Sequence, residues 1–467
     1  MTKTPEFLPI RELGRLLRKK EVSPVELAKF FLDRLEAEGP KYNALVTVTR
    51  ERALKEAREA EAEISQGRYK GALHGIPYGV KDLIATAGNI PTTWGAVPFK
   101  NQVLDYDATI VKKLSNAGAI LIGKLAMIEL AGGMGYAYPQ ASASGPAITP
   151  WGNKDSWTGG SSSGSGAAVA AGLVPFAIGS ETWGSILMPA HNCGISGLRP
   201  TYGRVSRYGA MPLSWTLDKL GPMCLTADDC GLVLNEIAGR DPCDHTTSKS
   251  SFAYDDQDPS DRTFKFALLK DMVANGEEAV KANFGESLKI LEQIGTIEEV
   301  EFPDLPYEAA TRTILNAESA SIFEDFFDSG QFHELSGDSS KFGAYSRLAV
   351  PATDYLRALR IRDRICDVAN NLLGSYDAII GTPRNQVATP INQPIRVSSI
   401  TGLARDILGS VGNIAGLPSV AVPNGFGDRG LPTGIQFMGN AYEENSVLAA
   451  ARAYQNITDW HNQHPSD

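Results

Sequence analysis

Histidine and cysteine are scarce in this chain of 467 residues, and their scarcity narrows the chemistry. The six histidines (His74, His191, His245, His333, His461, His464) show no HxH or HxxxH spacing, so no metal-ligand pattern is visible. His461 and His464 lie on a polar tail and read as solvated. The five cysteines (Cys193, Cys224, Cys230, Cys243, Cys366) are odd in number and form no CxxC pair. That usage fits reduced thiols packed as small hydrophobes, and a cytoplasmic setting. No run of about 18 apolar residues exists, so no transmembrane helix is expected. Met1–Glu6 has no apolar stretch of the secretory kind. Positive charge is not in excess, with 44 Lys and Arg against 54 Asp and Glu, which leaves no electrostatic footprint for nucleic acid. A phosphate-binding Gly-x-x-x-x-Gly-Lys-Ser/Thr stretch is missing. Gly164-x-Gly166-x-x-Val169 breaks the dinucleotide pattern at its last glycine. No cofactor is therefore expected.

What the chain does have is serine and glycine, concentrated in two stretches. Gly159-Gly160-Ser161-Ser162-Ser163-Gly164-Ser165-Gly166 and Gly179-Ser180-Glu181-Thr182-Trp183-Gly184-Ser185-Ile186 flank the apolar run Ala167 to Ile178. Serine is a nucleophile once a base activates it, and glycine lets backbone N–H groups approach a reacting carbonyl closely. Together they suit acyl transfer. No histidine stands nearby to act as base. The lysine in Gly75-Ile76-Pro77-Tyr78-Gly79-Val80-Lys81-Asp82 is the alternative, and the apolar residues before it could supply the burial that a lysine base requires.

A hydrophobic content of 43% is enough for a large core. Residues 8–67 read as helical. Ser23-Pro24-Val25-Glu26 is a capping box with proline at the first helical position, and Leu27, Phe31 and Leu35 follow at helical spacing. Ala53 to Ile64 reads as a second helix. Residues 104–126 read as helix then strand, Ala167 to Ala171 as helix, and Phe176 to Ile178 as a buried strand. Ser248 to Arg262 reads as an exposed connection. Strand (Phe264 to Leu269), helix (Glu277 to Ile294) and strand (Ile297 to Phe302) follow. Residues 306–374 read as mostly helical. Tyr376 to Gly381, Ser419 to Pro423 and Gly434 to Gly439 read as strands, and Glu443 to Tyr454 as a closing helix. This alternation predicts an α/β fold with a mixed sheet covered on both faces.

The run GGSSSGS…GSETWGSILMPAHNCGISGLRPTYGRVSR, from Gly159 to Arg207, resembles the diagnostic region of the amidase signature family. Ser23 to Leu35, Asn413 to Pro418 and Gly430 to Gln436 extend the resemblance over nearly the whole chain. It implies one domain over 1–467, with an N-terminal helical segment at 1–67 and a helical substrate-specificity region at 306–374. It further implies a large mixed sheet of about eleven strands sandwiched by helices. The implied activity is hydrolysis of an amide-type bond through a Ser–Ser–Lys triad and an acyl-enzyme, with carbamates (a urethanase) and esters within the family's range. By motif the triad is Lys81, Ser161 and Ser185, the serines 24 residues apart, with Ser161 after a cis peptide from Gly160. The implied oxyanion hole is the backbone of Thr182, Trp183, Gly184 and Ser185. Ser162, Glu181 and Asp218 are expected supports, with Thr158 and Ser163 as further hydrogen bonders.

Three residues depart from the family pattern. Trp183 stands where a small residue or Asp is usual, Leu187 where Arg is common, and His191 where a small residue is usual. Leu187 and Met188 are therefore expected to form an apolar pocket wall that favours a neutral substrate, with His191 either beside it or a core histidine. Ala309, Ile314, Ile322, Phe326 and Phe327 either line a funnel or are core at helical spacing. The expected partner is a small amide-type substrate, with neither nucleic acid nor membrane, for a monomer or homodimer. Two alternatives remain: the glutaminase subunit of a tRNA-dependent amidotransferase, and a catalytically silent family member.

Overall fold

The computed structural model describes residues 5–395 and 406–466. Residues 1–4, which belong to the segment read for a leader, lie outside the described residues. Eleven strands form one sheet: β1 (Leu45–Val48), β2 (Pro77–Lys81), β3 (Ile120–Leu125), β4 (Phe176–Glu181), β5 (Ser196–Arg199), β6 (Lys219–Cys224), β7 (Phe264–Leu269), β8 (Gly295–Val300), β9 (Ala378–Gly381), β10 (Ser419–Phe426) and β11 (Pro432–Met438). Their order is β1-β3-β2-β4-β6-β5-β10-β11-β9-β7-β8. β3, β2 and β4 run parallel, as do β9, β7 and β8, while the strands between them pair antiparallel. The expected α/β fold, a large mixed sheet sandwiched by helices, is what the chain adopts. Central strands such as β2, β3 and β4 are buried at every residue, as sheets covered on both faces must be.

The N-terminal helix Pro24–Glu38 starts at the capping box read from the sequence. Ser23 Oγ accepts from the Glu26 N–H at 3.2 Å, and Glu26 Oε2 accepts from the Ser23 N–H at 2.9 Å. Residues 8–67 are not helical throughout, because Leu45–Val48 forms edge strand β1 against β3. Four residues are too few to reveal a period of two. β5 and β6 gave no strand signal either. β6 carries Gly221 and Pro222 in its interior, residues that ordinarily argue against a central strand. Residues 306–374 carry the helices Tyr307–Ile322, Glu324–Asp328, Asp338–Leu348 and Ala352–Leu373. No helix among the described residues is long and apolar enough to cross a membrane.

Two features bring the serine-rich loops to one place. β2 and β4 are parallel neighbours, with Val80 opposite Ile178. Lys81 and Ser180 thus emerge at the same carboxyl edge, where open α/β sheets bind ligands. The helix Ser163–Ala170 then lies directly against the chain beside β1 and β3. A Cβ at Gly164 would meet the backbone of Ala44 and Ala126, and the Gly164 N–H donates to the Ala126 carbonyl at 2.8 Å. Gly164→Ala is expected to cost about 1–3 kcal/mol, because backbone cannot yield as a side chain would. Urea unfolding measures it, and an unchanged midpoint would mean that the helix can move outward freely.

Candidate active site

Lys81 ends β2 and is completely buried. Its Nζ donates to three hydroxyls: Ser161 Oγ at 2.7 Å, Ser180 Oγ at 2.9 Å and Ser162 Oγ at 3.1 Å. No carboxylate lies within ion-pair distance of it among the described residues. Burial pulls its pKa down to about 7, against the opposing pull of Asp218 and Glu181. Ser162 is fixed by two more bonds. Its Oγ accepts from the Ser180 N–H and donates to the Ser180 carbonyl, each at 3.1 Å. The Gly160–Ser161 peptide is cis, and the Ser161 carbonyl accepts from the Ile128 N–H at 3.1 Å.

Ser185 stands at the end of a short loop leaving β4. It is 7% exposed, its carbonyl accepts from the Ser162 N–H at 3.3 Å, and its hydroxyl has no hydrogen-bond partner among the described residues. Gly184 before it has φ of +81°, a conformation glycine adopts without cost. The loop 182–185 is pinned at both ends. On one side Glu181 Oε2 accepts from the N–H groups of Ile186 (2.8 Å) and Leu187 (3.1 Å), while its other oxygen accepts from Arg199 Nη1 at 2.8 Å. Burial alone would raise the pKa of Glu181, but Arg199 and Lys219 outweigh it and hold the carboxyl below its usual range. On the other side Asp218 accepts from Thr182 Oγ1 at 2.6 Å and from the N–H groups of Leu213 and Ser214. Burial raises the pKa of Asp218 despite those donors.

Trp183 turns away toward the C-terminal half. Its Nε1 donates to Asp406 Oδ2 at 2.7 Å, and the Arg312 guanidinium lies 5.4 Å from the indole centroid. Thr158, Ser163 and Ser165 are buried around the same loops. Thr158 Oγ1 donates to the Gly159 carbonyl at 2.9 Å.

Of the residues expected at a substrate pocket, Leu187 and His191 are buried and Met188 is half-buried. Leu187, 4% exposed, is part of the main apolar core. His191 is 1% exposed and donates through Nε2 to the Gln386 carbonyl at 3.1 Å. Burial, then the charge of Arg384, pushes its pKa down to about 3, so it is neutral. Met188 is half-buried and receives Arg384 Nη1 on its sulfur at 3.4 Å. Ile314, Phe326 and Phe327 pack in the core and Ala309 is exposed. A cavity of about 290 Å³ instead opens beside Ser180, Thr182 and Asp218, with Leu83, Met211 and Leu213 among its apolar walls and Cys243 and Asp244 toward the surface. Sequence reasoning missed Ser180 as the third hydroxyl on Lys81, and missed Arg199, Lys219 and Asn413 behind Glu181. Lys219 Nζ donates to Asn413 Oδ1 at 2.8 Å. The run Gly-Ser-Glu held the only hint of Ser180. No group of three or more metal-ligating side chains is assembled among the described residues.

Removing the Glu181 carboxylate would leave Arg199 and two loop N–H groups without their acceptor. Glu181→Ala is expected to cost about 3–5 kcal/mol, read by denaturant unfolding. A loss under about 1 kcal/mol would mean that the loop does not depend on this carboxylate.

The family model named Amidase matches residues 26–448. Among curated proteins, the chain is 35% identical to a glutamyl-tRNA(Gln) amidotransferase subunit of Carboxydothermus hydrogenoformans, over 98% of this chain and 99% of the relative. It is 36% identical to the corresponding subunit of Geobacillus kaustophilus, over 98% of each. Among solved structures, a peptide amidase in complex with the competitive inhibitor chymostatin superposes with a TM-score of 0.84 at 28% identity, over 98% of this chain and 99% of that one. A glutamyl-tRNA(Gln) amidotransferase subunit of Thermotoga maritima gives 0.80 at 30% identity, over 97% and 95%. With the family model matched over residues 26–448 and curated relatives at 35–36% identity over 98% of the chain, the chain belongs to the Amidase family.

Proposed function

We propose that the protein hydrolyses an amide-type carbon–nitrogen bond through an acyl-enzyme on Ser185, with Ser161 as the bridging hydroxyl and Lys81 as the base. The single observation that carries this reading is the environment of Lys81: a fully buried amine that, among the described residues, bonds only to hydroxyls, with its pKa pulled down to about 7 by burial. At neutral pH a large fraction of such a lysine is uncharged and holds a lone pair. The Ser162 hydrogen is already given to the Ser180 carbonyl, so Ser162 accepts from Lys81. Ser161 and Ser180 are left to donate to the Lys81 lone pair, and Ser161 is the nearer, at 2.7 Å against 2.9 Å.

Ser185 Oγ then attacks the carbonyl carbon. Its proton passes to Ser161, and the proton of Ser161 passes to Lys81 Nζ. The backbone N–H groups of residues 182–185 receive the developing oxyanion, a contribution worth about 3 kcal/mol per donor in other hydrolases. The proton returns through Ser161 to the leaving nitrogen as the C–N bond breaks. Water next attacks the acyl carbon by the same relay and frees the acid. The cavity beside Ser180 and Thr182 has room for the departing amine or the incoming water. Esters and carbamates would follow the same course, because each presents a carbonyl and a leaving group.

A second reading, the glutaminase component of a tRNA-dependent amidotransferase, is favoured by the curated relatives, which are subunits of such enzymes. It uses the same site and differs in needing partner proteins. The free-standing reading predicts amide turnover by the purified chain as monomer or homodimer. Turnover of glutamine only after partners are added would favour the second.

A fluorophosphonate probe followed by intact mass should add once to the wild type and not to folded Ser185→Ala. An adduct on Ser185→Ala would remove Ser185 as nucleophile. Lys81→Ala should slow labelling by about 10²-fold or more. Because only neutral Lys81 accepts a proton, the wild-type rate should climb with pH through a midpoint near 7. A rate flat from pH 5 to 9 would contradict the relay.

A further inference from the structure

Arg384 is a partly buried cation near Ser185 that the reaction above does not use and that, unlike Arg199 and Lys219, meets no carboxylate or amide side chain among the described residues. It follows β9, and its guanidinium touches the sulfur of Met188 at 3.4 Å. Met188 is three residues beyond Ser185, and its N–H donates to the carbonyl of Gly184, the residue before Ser185, at 2.8 Å. The Met188 side chain also packs against Gly159, beside the Gly160–Ser161 peptide. The guanidinium therefore lies over the first turn after the nucleophile.

No carboxylate pairs with it among the described residues. The acidic groups that face it are both engaged elsewhere. Asp406 accepts from Trp183 Nε1 and from the Gly409 N–H, and Glu277 accepts from the Val387 N–H. Tyr136 and His191 are its other titratable neighbours. Burial raises the Tyr136 phenol to about 12 and keeps His191 uncharged. The sequence of residues 396–405 contains no Asp or Glu. Arg384 itself is driven below the usual arginine range by desolvation. Among the described residues the guanidinium has a thioether as its one hydrogen-bond partner, and charges withdrawn even in part from water are ordinarily paired.

Resting on the acyl-enzyme reading above, we propose that Arg384 binds an anionic group of the substrate, a carboxylate carried on the same small molecule as the scissile amide. A planar guanidinium suits this task because it receives both carboxylate oxygens at once. The neutral substrate expected from Leu187 is thereby replaced. Leu187 has withdrawn into the core, and the cation arrives one residue on, at Met188, from a different part of the chain.

The test separates binding from catalysis by using folded Ser185→Ala protein, in which nothing turns over. Calorimetric titration compares the monoamides of malonic, succinic and glutaric acids with the corresponding uncharged diamides. At least one monoamide should bind tenfold or more tightly than its diamide. Arg384→Gln in the same background should erase the difference, and Arg384→Lys should keep part of it, since charge is retained and the fork is lost. Equal binding of both members of every pair, no binding of any, or a preference that survives Arg384→Gln would each overturn the proposal. Should Arg384→Gln not fold, Arg384→Lys carries the test: an undiminished preference would overturn the assignment. Fluorophosphonate labelling of the wild type reports independently on Ser185, so failure of the acyl-enzyme reading is seen separately.

Discussion

An ammonium taken out of water without a counter-ion is expensive, and the site is organised around that expense. Lys81 gives up hydration for three hydroxyl contacts at 2.7–3.1 Å. Hydroxyls solvate a neutral amine well, since they both give and accept. They solvate a cation less well than a carboxylate would. Asp218 and Glu181 influence Lys81 only from beyond contact, each committed to the loop around Ser185. Had either moved onto the lysine, its pKa would rise and its lone pair would be lost. For Lys81 to keep a lone pair, the carboxylates that hold the loop must stay off it.

That division of labour explains the layers behind the site. Glu181 bridges the loop and Arg199, and Arg199 Nε donates to the Leu417 carbonyl at 2.9 Å. Lys219, beside them, is tied to Asn413. The strands β4, β5 and β6 and the segment 413–417 are thus joined by buried polar contacts beneath the loop that carries Ser185. Preorganised donors at an oxyanion cost nothing to reorient during reaction, and this packing provides such rigidity. Trp183 extends the same loop outward to Asp406 and Arg312. It links the loop before Ser185 to the helix Tyr307–Ile322.

Much of this was legible in the sequence, for identifiable reasons. The capping box at Ser23, the apolar strands β3, β4 and β7 and the helices of 306–374 each carry a local signal. β1 is too short for its period to show, and Pro222 disguises β6 as a turn. In the site, motif spacing pointed to Lys81, Ser161 and Ser185 as residues to examine, and the chain brings Lys81 and Ser161 within 2.7 Å. The direction of side chains was not legible. Leu187 is expected on a pocket wall and His191 either beside it or in the core, and both side chains are buried, at 4% and 1% exposure. Arg384 lies 199 residues from Ser185 along the chain, and no periodicity connects the two. Only the tertiary path of the segment after β9 reveals the guanidinium.

The central claim is that Lys81 is uncharged for much of its time near neutral pH because burial outweighs the distant carboxylates. Carbon-13 labelling at the lysine ε-carbon, with the Lys81 resonance assigned by Lys81→Arg, follows its titration directly by NMR. The account predicts a midpoint near 7, well separated from the surface lysines above 10. A Lys81 resonance that titrates together with those surface lysines would contradict it.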